Sequence, residues 1–252
     1  MLPIASFAFI GGMITGSFVG VVAHRVPRGR SIVGPRSECP SCGTQIAAYD
    51  NVPVISWILL GGHCRSCGER IPARYPLIEL AVGIAFAATA VVLHGDGAEL
   101  ALGLVFVAVL AAITLTDLER RVIPNAILLV GGLTCVGVVL ATDPGSLPER
   151  FAAAAGGGGF LLVAALVYPR GMGMGDVKLA AVMGLFLGAS IVPALFVGIA
   201  LGALAGVGLM LRYGSEARKH PIPFGPFLAI GGVVGLLAGS QMIEAYLNHF
   251  IR

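Results

Sequence analysis

Apolar runs close to membrane-spanning length recur along the chain. They cover residues 4–23, 76–93, 100–116, 126–141, 151–168, 177–189, 191–211 and 224–246. A helix needs about 20 mostly apolar residues to cross about 30 Å of hydrocarbon. The pattern therefore predicts an all-α polytopic membrane protein with about eight transmembrane helices. The boundary between the sixth and seventh runs is soft, marked only by Ser190 and Pro193. A single long polar segment, residues 24–75, follows the first run. The expected organisation is a first transmembrane helix (1–23), a small polar domain (24–75) and a membrane domain (76–252).

Composition supports this class. Of the residues, 57% are hydrophobic and only 12% charged, against about 25% charged in a soluble domain. The 37 glycines suit a bundle in which small residues let helix backbones approach closely. The stretch Ala152 to Gly159 reads as one such packed helix face, with a flexible linker as the alternative. No internal repeat is evident. The N-terminus lacks a basic region, so no cleavable signal peptide is expected. The distribution of charge is more informative than the net +3. With eight spans, fourteen Lys and Arg residues fall on one side, and only Arg150 and Arg252 on the other. Basic loops stay in the cytosol, which predicts both termini outside and residues 24–75 inside. Asp96, Glu99, Asp143 and Glu149 give the opposite loops an acidic lean.

The polar segment holds two CxxCG hooks, Cys39-Pro40-Ser41-Cys42-Gly43 and Cys64-Arg65-Ser66-Cys67-Gly68. The C-x2-C-x21-C-x2-C spacing is one residue longer than the common zinc-ribbon spacing. A reducing cytosol disfavours structural disulfides. Four thiolates favour tetrahedral Zn²⁺, and a segment this short would draw much of its folding energy from metal. Cys39, Cys42, Cys64 and Cys67 are thus the predicted ligands of a structural zinc ion, with a redox dithiol as the alternative reading. Four cysteine ligands close the coordination shell, so this metal is not expected to be catalytic. Cys135 lies in an apolar run and reads as a core residue.

Ionisable groups near membrane depth are functional candidates. Asp117 ends the third run, Asp176 opens the sixth, and Glu79 lies just inside the second. The predicted topology puts both aspartates at the cytosolic mouth of the bundle. Two carboxyls meeting in a low-dielectric cleft cannot both ionise easily, which supplies an acid and a base together. Such a pair can activate a water and protonate a leaving amide nitrogen. Gly173 and Gly175, just before Asp176, would let a substrate strand approach the backbone. The alternatives are a boundary ion pair of Asp117 with Arg120 or Arg121, and a helix-capping role for Asp176. Glu79 reads as a structural partner of a nearby arginine. His24 and His94 read as boundary residues.

At these residues the chain resembles the bacterial type IV prepilin peptidases, also called prepilin leader peptidase/N-methyltransferases. The likeness runs nearly end to end. It includes Gly16-Ser17-Phe18-Val19, His24-Arg25-Val26-Pro27, Asp50-Asn51-Val52-Pro53, Ser56-Trp57, Tyr75-Pro76-Leu77-Ile78-Glu79 and both hooks. It continues through Asp117 with Pro124-Asn125, the stretch Gly173 to Lys178, and Pro223-Phe224-Gly225-Pro226. The resemblance implies a GxGD aspartyl protease with Asp117 and Asp176 as catalytic residues, and Gly173, Gly175 and Lys178 in the active-site loop. It makes residues 76–252 a peptidase domain. The implied substrates are type IV prepilins and pseudopilins in the bacterial inner membrane, cut at the cytosolic face. The implied second step is N-methylation of the new N-terminus from S-adenosylmethionine, tied to the tetracysteine loop. Gly20 departs from the Asn that many relatives carry, which bears on that second activity. Membrane lipid is the other expected partner, and no nucleic acid is expected. An acidic patch for a basic leader would draw on Glu38, Asp50 or Glu69.

Two other classes compete with this reading. A non-enzymatic scaffold would use the zinc ribbon to dock a partner and leave the aspartates dispensable. A transporter would want acids near the middle of its spans, whereas these lie at one edge.

Overall fold

A computed structural model describes residues 2–34, 36–168, 172–214 and 222–250. Arg170, Gly171, Arg218, Lys219 and Arg252, used in the sequence argument, lie outside the described residues. The described chain is helical, with only two isolated β-bridges. It divides into two compact units, Met1–Gly95 and Asp96–Arg252.

In the first unit, α1 (Leu2–Arg25) packs along α3 (Arg74–Val92). Small residues make the contact possible. A Cβ added to Gly12 would lie 2.8 Å from Gly83 Cα, and one added to Gly16 would lie 2.7 Å from Glu79 Cα. The four-residue spacing puts both glycines on one face of α1, as in close-packed membrane helices. Between these helices the polar segment carries the short α2 (Ile55–Leu59). Trp57 fixes α2 by donating from Nε1 to the Ile71 carbonyl at 3.0 Å.

The second unit contains α4 (Gly97–Arg120), α5 (Asn125–Thr142), α6 (Leu147–Val167), α7 (Met174–Leu187), α8 (Ile191–Tyr213) and α9 (Gly225–Phe250). Helix α4 supplies the largest share of the core, with Phe106, Ile113, Leu115 and Thr116 fully buried. Phe106 stacks on Phe186 of α7 with ring centroids 4.9 Å apart. Helix α4 also packs on α5 and α9, α7 on α6, and α8 on α9. Cys135 is buried on α5, its thiol 3.4 Å from the Leu185 carbonyl.

Among the described residues, seven helical segments are long and apolar enough to cross a membrane. The protein is a multi-pass membrane protein. One of these segments, Met174–Tyr213, is 40 residues long. It breaks at Gly188, where φ is 54°, into α7 and α8, which correspond to the sixth and seventh apolar runs. Helix α7 has 14 residues, only about 21 Å of rise.

Candidate functional site

Asp117 sits in the last turn of α4 and is 6% exposed. The helix ends three residues later, at Arg120, because Arg121 adopts a left-handed conformation (φ 54°) and returns its N–H to the Asp117 carbonyl at 2.8 Å. The Asp117 carboxylate accepts the backbone N–H of Gly225, the first residue of α9, at 2.9 Å. Among the described residues no ion pair joins Asp117 to Arg120 or Arg121. The boundary-pair alternative therefore lacks its contact.

Asp176 lies in the first turn of α7 and is 8% exposed. Its Oδ2 accepts the Gly173 N–H at 3.2 Å. It thus satisfies one of the orphan amides of a helix N-terminus, where a negative charge is also favoured. Capping and catalysis are compatible here, since one oxygen caps and the carboxyl still faces the cavity described next.

Asp117 and Asp176 line one cavity of about 600 Å³ within the second unit. Lys178 and Asn125 share the wall and are joined by a 3.0 Å hydrogen bond from Nζ to Oδ1. Of the two glycines, Gly173 is exposed, whereas Gly175 abuts Ile123, with only 2.9 Å between an added Cβ and Ile123 Cβ. The backbone open to a substrate strand is therefore at Gly173. Asn125, Phe224 and Gly225 were not singled out for this site from the sequence, although Pro124-Asn125 and Pro223 to Pro226 are among its recognisable motifs.

The cysteines form a second centre, within the first unit. Cys39, Cys42, Cys64 and Cys67 come together with all four sulfurs within 4.8 Å of one another. The two hooks repeat one backbone design. Cys39 N–H donates to Thr44 O at 3.0 Å and Gly43 N–H to Cys39 O at 2.8 Å. Cys64 N–H likewise donates to Glu69 O at 2.8 Å and Gly68 N–H to Cys64 O at 2.9 Å. Gly43 and Gly68 share a left-handed φ of 70° and 71°, which glycine adopts without steric cost. The N–H groups of Cys67 and Ser66 hold the Cys64 thiol below its ordinary range. The Cys39 and Cys67 sulfurs are 3.8 Å apart. Tetrahedral Zn–S bonds of about 2.3 Å imply S···S separations of about 3.8 Å, so the cluster fits a tetrahedral metal ion and can bind one.

Among the described residues Glu79 makes no ion pair with an arginine. Its Oε2 accepts the Val54 N–H at 2.7 Å, at a residue with φ 62°. Positive φ is rare for a β-branched residue, and the carboxylate pins the strained turn that starts α2. Asp50 is also engaged, bound by Arg65 through bonds of 2.8 Å and 2.7 Å. The Arg65 hydrogen bond holds its carboxyl below the ordinary value, which removes Asp50 from a free acidic patch.

A multi-pass helical membrane protein, with two buried aspartates on one cavity and a four-thiolate cluster, is the class these features define. Comparison with known proteins narrows it. Residues 10–93 match the model of the bacterial peptidase A24 N-terminal domain, and residues 104–210 match that of the type IV leader peptidase family. The prepilin leader peptidase/N-methyltransferase of Bacillus subtilis (strain 168) is 36% identical over 244 residues, covering 96% of this chain and 98% of that protein. The protein of the same name from Aeromonas hydrophila is 34% identical, covering 98% and 94%. Its counterpart in Pseudomonas aeruginosa is 34% identical, covering 94% and 91%. No solved structure gives a significant match. The chain belongs to the type IV leader peptidase family, and it is an enzyme of that family.

Proposed function

We propose that Asp117 and Asp176 are the catalytic pair of a leader peptidase that cleaves type IV prepilins and pseudopilins and then N-methylates the new N-terminus. The observation that supports this most is the meeting of two buried aspartates, from α4 and α7, on one cavity. One carboxylate takes a proton from water as the oxygen attacks the scissile carbonyl. The other, as the acid, gives a proton to the departing amide nitrogen. The pair exchanges these roles through its shared charge, so it titrates as a unit. Gly225 N–H positions Asp117, and Gly173 N–H positions Asp176. The exposed Gly173 offers backbone to an extended substrate, and Lys178 and Asn125 line the same cavity.

The enzyme is placed in the bacterial inner membrane with both termini outside and the tetracysteine domain in the cytosol. The charge bias between loops supports that orientation. A prepilin joins a basic leader to an apolar helix, so its cleavage point lies at the interface where Asp117 and Asp176 would sit. Zn²⁺ is the metal assigned to Cys39, Cys42, Cys64 and Cys67, where it would supply folding energy and no reacting position. S-adenosylmethionine is the assigned methyl donor, supplying an electrophilic methyl group to the amine released by cleavage. In functional terms, residues 24–75 form the metal domain between the first helix (1–23) and the peptidase domain (76–252).

The test is incubation of the purified protein with a prepilin and labelled S-adenosylmethionine, scoring cleavage and methylation separately. Leader loss followed by label on the shortened product is expected. An intact prepilin would overturn the peptidase reading, and cleavage without label would overturn the methyltransferase reading alone.

A further inference from the structure

The first unit contains a cavity that the peptidase reading does not use. It has a volume of about 320 Å³ and follows one face of α1, from Ile14 through Phe18 and Val21 to Arg25, closed at the polar end by Arg36 and Asn51. From Ile14 to Arg25 the helix rises about 16 Å. The cavity therefore starts at the end of a membrane span and runs to its middle.

The lining changes character along its length. Ile14 and Phe18 are apolar and exposed at the deep end. Arg25 and Arg36 stand at the other end, with Ile32 and Val33 also in the wall, and no Asp or Glu is among the described residues that line the cavity. Arg25 is held in place by bonds from its guanidinium to the carbonyls of Ser31 at 3.1 Å and Arg36 at 3.4 Å. Arg36 is exposed and makes no ion pair among the described residues. Two guanidiniums at the level of the headgroups suit a phosphate, which arginine binds through paired N–H donors. An apolar trough beneath them suits a hydrocarbon tail. A free phosphate would have no use for that trough. S-adenosylmethionine would bring a sulfonium cation to a rim that is already cationic.

We propose that this groove binds one anionic phospholipid, with its phosphate against Arg25 and Arg36 and one acyl chain along Phe18 and Ile14. The site rests on the membrane placement of α1 and not on the assignment of Asp117 and Asp176. Bound lipid would tie the end of α1 to the loop carrying Arg36, which leads directly into the first cysteine hook.

The experiment uses the full chain in bilayer discs of phosphatidylcholine with 20% phosphatidylglycerol, extracted gently and weighed by native mass spectrometry. We expect one phosphatidylglycerol retained per chain, at least tenfold enriched over phosphatidylcholine. Arg36→Gln should bring retention down to the phosphatidylcholine level. Val21→Phe, which narrows the trough without touching the charges, should lower retention of both lipids. Equal retention of the two lipids by the wild type, or unchanged retention in both variants, overturns the site. Saturable binding of labelled S-adenosylmethionine that Arg36→Gln abolishes also overturns it, in favour of a methyl-donor pocket. Prepilin cleavage measured on the same preparations reports on the peptidase reading separately.

Discussion

The backbone N–H of Gly225 donates to the Asp117 carboxylate at 2.9 Å, tying the start of α9 to the last turn of α4. The contact depends on glycine. A Cβ at position 225 would lie 2.8 Å from Asp117 Oδ2 and 3.3 Å from its Cβ and Cγ. Gly225→Ala should therefore displace the carboxylate while leaving every ionisable group in place. Misplacing a reacting group by about 1 Å costs about 100-fold in rate. We expect a loss of that order in prepilin cleavage, with the protein still inserted and folded. A normal rate in Gly225→Ala would show that the position of Asp117 is not critical.

Asp117→Asn and Asp176→Asn should each remove cleavage, by at least about 1,000-fold. The two groups act as a unit, so the double variant should be no slower than either single one. A prepilin already trimmed of its leader should still be methylated by both variants. The measurement is cleavage by gel shift alongside transfer of label. Residual activity above a few per cent in either variant would end its catalytic assignment.

The tetracysteine cluster predicts about one zinc per chain, measured by elemental analysis of the purified protein. Cys39→Ser should lose most of that metal. Because binding energy is folding energy in so small a domain, the same change should expose residues 24–75 to limited proteolysis. The bundle helices should resist cleavage in parallel. Metal-free protein with a protease-resistant segment would exclude a structural metal.

The apolar runs made the helices legible because a membrane span needs only length and hydropathy. The α7–α8 break was visible only as a soft boundary, since its cause is the backbone conformation of Gly188 and not a polar interruption. The hooks announced a four-sulfur cluster through spacing, and their repeated CxSCG wording carried the paired turn geometry. What remained hidden were contacts made by backbone groups. The hold of Gly225 on Asp117 and the grip of Glu79 on Val54 both use an amide N–H, and a main-chain donor leaves no trace in residue identity. The pairing of Glu79 with an arginine was expected from charge alone and failed for that reason. Asp50 was open to a substrate in the sequence and is taken by Arg65 in the fold, because only the fold brings the hook to the loop at residues 48–51.

Arg150, in the first turn of α6, offers the last prediction, since it caps the far end of the helix that carries Asp176. Its guanidinium donates to the carbonyls of Leu185 at 3.2 Å and Phe186 at 2.9 Å, and to Glu99 at 2.6 Å. The side chain is only 12% exposed. Those carbonyls belong to the last turn of α7, where no further intrahelical donor is available. A cation there also complements the helix dipole. Arg150→Met keeps much of the volume and removes these three bonds together with a fourth, from Nε to Ser146 Oγ at 3.3 Å. Hydrogen bonds to charged groups contribute about 1.5–3 kcal/mol each, and relaxation of the freed carbonyls offsets part of the loss. We expect a net destabilisation of about 2 kcal/mol by thermal unfolding in detergent. Glu99→Gln retains both helix-capping bonds and should cost less than half as much, since Glu99 is 44% exposed. Arg150→Lys keeps the charge but not the planar fork and should fall between the two. If Glu99→Gln proved as damaging as Arg150→Met, the ion pair and not the α7 carbonyls would be what Arg150 serves.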